Sequence, residues 1–144
     1  MPKCYFLTLC CGSSLDQQSN NVTLFNLVEQ VNLQPNVDPP PGAILPLEVH
    51  AYFLLGPGEL AQSFEVRFAV VAPSGLELFT DATQHKSPTP RYRTRSLGLP
   101  APVVPGSYQL CVDIRQPGSA DFTRENLSWP LMVARLEPRP SVVH

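Results

Sequence analysis

Residues 63–80 read SFEVRFAVVAPSGLELFT. Phe64, Val66, Phe68 and Val70 alternate with Glu65, Arg67 and Ala69. A period of two marks a strand with one buried face, because successive side chains of an extended chain point to opposite sides. Pro73-Ser74-Gly75 is a turn, and Leu76–Thr80 supplies the return strand. The stretch predicts a β-hairpin.

The same period recurs on both sides of it. Ser107–Arg115 (SYQLCVDIR) places Tyr108, Leu110, Val112 and Ile114 on an apolar face. Gln109, Cys111, Asp113 and Arg115 form its polar face, so Cys111 is not expected to be the deepest thiol. Leu47–Leu55, Arg91–Leu97 and Ser128–Glu137 read as further strands. Val22–Leu33 (VTLFNLVEQVNL) reads as one continuous strand, rich in residues that favour extended chain. Its set Thr23, Phe25, Leu27, Glu29, Val31 and Leu33 is the more apolar and is expected to face the core. Gln34–Pro46 holds five prolines and reads as a stiff connection, Gly98–Gly106 as another, and Asp81–Pro90 as a polar loop.

Composition agrees. Seventeen prolines in 144 residues disfavour long helices, since proline costs about 3 kcal/mol in a helix interior. Only 15% of residues are charged, and 43% are hydrophobic, which excludes a disordered chain. A net charge of −2 gives no bulk attraction to nucleic acid or anionic membrane. No stretch approaches the about 20 apolar residues of a membrane helix. The expectation is an all-β protein, a single antiparallel β-sandwich of about eight strands, immunoglobulin-like or C2-like, with a closed barrel as the alternative. Residues 1–137 form one domain, and 138–144 a frayed tail.

Three of the four cysteines lie in PKCYFLTLCCG, residues 2–12. Alternation puts Tyr5, Leu7, Leu9 and Cys11 on one face of a first strand and Cys4, Phe6, Thr8 and Cys10 on the other. Reduced, packed thiols follow, and with them a cytoplasmic protein. An exported, lipid-anchored protein is an alternative, because Leu7–Cys10 has the outline of a lipoprotein cleavage box after Lys3. Leu9, however, stands where such boxes take a small residue. Cys4, Cys10, Cys11 and Cys111 lack the paired spacing of zinc ligands, and His50, His85 and His144 stand alone in the sequence. No metal and no cofactor are expected.

Two segments resemble immunoglobulin-like domains: Ala72–Phe79 (APSGLELF) in its hairpin turn, and Val104–Ile114 (VPGSYQLCVDI) in its Pro-Gly-x-Tyr approach to a late strand. The N-terminal layout, over about the first two-thirds of the chain, is similar to an uncharacterised bacterial family of small β-sandwich proteins. Cys11-Gly12 and Leu24-Phe25-Asn26-Leu27 depart from that family's pattern of Cys-Asp and Leu-x-Gly-x-Phe. The resemblance implies a fold and carries no functional residue.

No nucleophile elbow, phosphate loop or zinc-protease motif occurs. Asp81 and His85, four apart, are the candidates for a loop-borne acid–base site if the protein is an enzyme. The stronger surface feature is basic: Lys86, Arg91, Arg93 and Arg95 lie within ten positions. On a strand, the three arginines share one face, with Tyr92, Thr94 and Ser96 on the other. A non-catalytic module that engages an unidentified protein partner through this row or a sheet edge is the expected function. Nucleic acid and membrane are not expected partners, and self-association is open.

Overall fold

The computed structural model describes residues 1–139. It is an all-β sandwich of two sheets, with ten strands among the described residues. They are β1 (Lys3–Leu15), β2 (Val22–Leu27), β3 (Gln30–Leu33), β4 (Ile44–Leu54), β5 (Phe64–Val71), β6 (Glu77–Phe79), β7 (Thr83–His85), β8 (Arg91–Pro100), β9 (Gly106–Arg115) and β10 (Thr123–Arg135). One sheet has the order β2-β1-β4-β8. The other runs β3-β10-β9-β5-β6, with β7 also on β5. No helix among the described residues is long and apolar enough to cross a membrane. Of the expected frayed tail, residues 140–144 lie outside the described residues, while Pro138 and Arg139 are exposed coil.

The core fills from the alternating faces that the sequence marks. Phe64, Val66, Phe68 and Val70 of β5 are buried, as are Tyr108, Leu110, Val112 and Ile114 of β9. From the opposite sheet they meet Leu7, Leu9, Val49, Ala51, Phe53 and Leu99. The Pro73-Ser74-Gly75 turn closes as expected: Gly75 has φ +91°, and its N–H donates to the Ala72 carbonyl at 2.9 Å. At the start of β9, the Tyr108 hydroxyl donates to the Val104 carbonyl at 2.6 Å. That bond ties the start of β9 back to the connection that precedes it.

Several expectations are corrected. Val22–Leu33 is two strands, because Asn26 adopts φ +53° and the chain leaves one sheet for the other. Trp129 fixes the crossing by donating Nε1–H to the Val28 carbonyl at 2.7 Å. Val31 and Leu33 do turn inward, but Phe25 and Leu27 are exposed on a sheet edge. The loop at 81–90 holds the short strand β7, and β3 pairs with β10 in parallel, so the sandwich is not wholly antiparallel. In β1 the pairing register shifts between Cys4 and Phe6. This bulge moves Cys4 to the core face with Leu7 and Leu9, and leaves Tyr5 exposed. Cys11 is exposed rather than inward. The polar side of β9 is covered, not solvated. Asp113 is 2% exposed and accepts from Arg67 Nε (3.0 Å) and Arg124 Nε (2.8 Å). The Arg67 guanidinium lies 4.0 Å from the ring centres of both Phe79 and Phe122.

One of the two sheets is curled into a half-barrel, and the closed-barrel alternative is not realised. β2 and β8 are the two edges of the four-stranded sheet. The turn between β1 and β2 reaches β8, two strands away from β1: Arg93 Nη2 donates to the Asn20 carbonyl at 2.8 Å. On the face of this sheet turned away from the core, the turn and β8 wall a trough.

Candidate functional site: the polar trough of the four-stranded sheet

The trough is built from strand alternation. On β4, Glu48, His50 and Tyr52 point into it while Val49, Ala51 and Phe53 enter the core. Opposite them in the ladder stand Cys10, Thr8 and Phe6 of β1. On the other side, Tyr52 pairs with Arg93 and His50 with Arg95. A groove of about 380 Å³ opens here, lined among others by Ser13, His50, Tyr52, Arg91, Arg93 and Arg95.

Glu48 is the hub. Its Oε1 accepts from Ser13 Oγ (2.7 Å), His50 Nε2 (2.9 Å) and Arg95 Nε (2.9 Å), and its Oε2 from Arg95 Nη2 (2.8 Å). The two-pronged Arg95 contact holds the carboxyl down to about 2 against the opposing effect of burial, with Ser13 and His50 adding to it. Cys10 is fully buried beside it. Desolvation, and then the Glu48 charge, push its thiol up. The buried thiol therefore holds its proton more firmly than a free cysteine does.

The basic row is partly as expected. Arg91, Arg93 and Arg95 are all on β8 and line one groove. Their charges are not equivalent, since Arg95 is consumed by Glu48. Arg91 and Arg93 have no carboxylate partner among the described residues. Lys86 does not join them: it lines a different groove, with Glu59, Gln62 and Gln116.

Asp81 and His85 are not brought together as an acid–base pair. His85 Nε2 meets Thr83 Oγ1 at 2.7 Å and its Nδ1 meets the Tyr92 hydroxyl at 2.9 Å, so both ring nitrogens are occupied. Asp81 lines a separate apolar groove beside Phe79 and Leu97.

Sequence reasoning missed Glu48 and His50. Their alternation with Val49 and Ala51 could have placed them on one face, but no sequence spacing shows that Cys10 stands across the ladder. No family model and no curated protein matches the chain.

Proposed function

We propose that the protein is a non-catalytic binding module that captures an extended, acidic segment of a partner protein along β8. One observation carries the reading: β8 is one of the two edge strands of its sheet, and two of its arginines, Arg91 and Arg93, lack carboxylate partners among the described residues. An edge strand offers unpaired N–H and C=O groups to an added strand. Arg91 and Arg93 are two residues apart on one face, so an added strand with Asp or Glu at every second position matches them. Both ring nitrogens of His85 are bonded to hydroxyls, which supports a module over an enzyme acting through the loop at Asp81 and His85.

The compartment and origin belong to the same proposal. The four cysteines are free, with Cys4, Cys10 and Cys111 buried, which fits a reducing cytoplasm, and the resemblance to bacterial β-sandwich proteins fits that setting. Lipid attachment at Cys10 would require it to leave the middle of β1, where it pairs with both Leu27 and Glu48.

Selection from a display library of random extended peptides tests the proposal, using wild type beside the double variant Arg91→Glu/Arg93→Glu. Arg95 is left intact because it holds Glu48. Selected peptides are expected to carry acidic residues in alternation and to lose at least about tenfold in affinity for the double variant, roughly 1.4 kcal/mol. Selection without acidic bias, or equal binding by both proteins, overturns it. Self-association through the same edge would appear as a change in solution mass that the double variant alters.

A further inference from the structure

Three side chains with metal-ligating atoms meet on the floor of the trough. The Cys10 sulfur, a Glu48 carboxylate oxygen and a His50 ring nitrogen all lie within 4.8 Å of one another. All three residues are buried, at 0%, 5% and 3% exposure. The convergence follows from the fold: Cys10 and Glu48 are ladder partners, and His50 follows Glu48 by one strand period. We propose that Cys10, Glu48 and His50 form a three-ligand site for a zinc-like divalent cation.

The donor set selects the ion. Sulfur, imidazole and carboxylate suit zinc, whereas calcium and magnesium take oxygen ligands throughout. Bonds of about 2.0–2.3 Å put tetrahedral ligand atoms about 3.5 Å apart, so the cluster needs only a modest contraction. An independent observation lies beside it. Thr8 Oγ1 is buried with no hydrogen-bond partner. Thr8 shares the trough face of β1 with Cys10 and stands opposite His50 in the ladder. An orphaned buried hydroxyl ordinarily finds a water or an ion. A water in the fourth coordination position would satisfy it.

Binding balances as Cys10–SH plus M²⁺ giving the Cys10 thiolate–metal bond and one proton released to solvent. His50 Nε2 gives up its bond to Glu48 Oε1 to ligate the metal, its ring proton passing to Nδ1. A metal on Oε1 would require Ser13 Oγ and Arg95 Nε to move off that oxygen, while Arg95 Nη2 keeps Oε2. The groove that His50, Ser13 and Arg95 line is the route in.

The full-length chain, stripped with chelator and kept reduced, is titrated with Co²⁺, and zinc is then added in competition. The expected result is one cobalt per chain, with a sulfur-to-cobalt charge-transfer band that zinc abolishes. Cys10→Ser should lose the band. Cys11→Ser should keep it, because Cys11 is exposed on the other side of the strand. Arg91→Glu/Arg93→Glu should also keep it, so peptide binding and metal binding can fail separately. If Cys10→Ser does not fold, His50→Gln is expected to weaken cobalt binding at least about tenfold. Zinc should also slow alkylation of Cys10 in the wild type, read by mass mapping. The absence of a charge-transfer band in wild type, or a band that survives Cys10→Ser or disappears with Cys11→Ser, overturns the site.

Discussion

His85 shows how one ring can be structural and still leave a signature in solution. It sits between Phe64 and Tyr92 with both nitrogens bonded to hydroxyls, and burial holds its pKa below the usual 6.5. The unfolded chain therefore binds this proton more readily than the folded one. Stability is full above pH 6.5 and falls as pH drops through 6.5 toward the lower folded value. Urea midpoints measured between pH 7 and 5 should decline for wild type and flatten for His85→Gln. Carboxylates such as Glu48, held near 2, titrate below this window when folded. At this scale the sequence was a poor guide to role: His85 looked like a candidate base because Asp81 was near in sequence. Glu48 and His50 looked like ordinary polar positions of a strand.

Among elements, alternation in β5 and β9 was sufficient, since a strand with one apolar face has one way to sit on a core. It failed wherever the chain changes sheets. Across Val22–Leu33, the extended-chain preference is continuous, yet Asn26 turns left-handed and Trp129 holds the crossing from 101 residues away in sequence. A local pattern cannot report a brace of that kind. The Pro-Gly-x-Tyr segment is the opposite case, because its brace is local. Tyr108→Phe removes the hydroxyl that the Val104 carbonyl accepts from. The variant should unfold at lower urea concentration with an unchanged slope, a loss of about 1 kcal/mol.

At the scale of the molecule, the two sheet faces turned away from the core solve one problem differently. The six-stranded sheet seals its outer face: Arg67 and Arg124 close over Asp113, Arg124 also reaches Glu77, and Arg115 reaches Glu65. Removing the central anion leaves two cations facing each other, so Asp113→Ala should cost about 3 kcal/mol in denaturant unfolding. An equal midpoint for variant and wild type would mean that the cluster is solvated. The four-stranded sheet leaves its trough open, and there Glu48 gathers Ser13, His50 and Arg95 around one carboxylate while Thr8 Oγ1 stays unpartnered. Composition and period made the sandwich legible. The partition of strands between sheets, the parallel β3–β10 pair and the trough arise from long-range pairing, which leaves no mark within any one segment.

The contact from Arg93 to the Asn20 carbonyl ties these scales together. One guanidinium spans the mouth of the trough, from the β8 edge of the sheet to the tip of the first hairpin. A guanidinium carries five N–H donors, so Arg93 can keep its bond to the turn and still present others to a carboxylate beside β8. The hairpin thus sets one wall of the groove in place before anything enters it. An arriving acidic group would meet a preset donor rather than a free-swinging side chain, and less ordering would be left for the encounter itself.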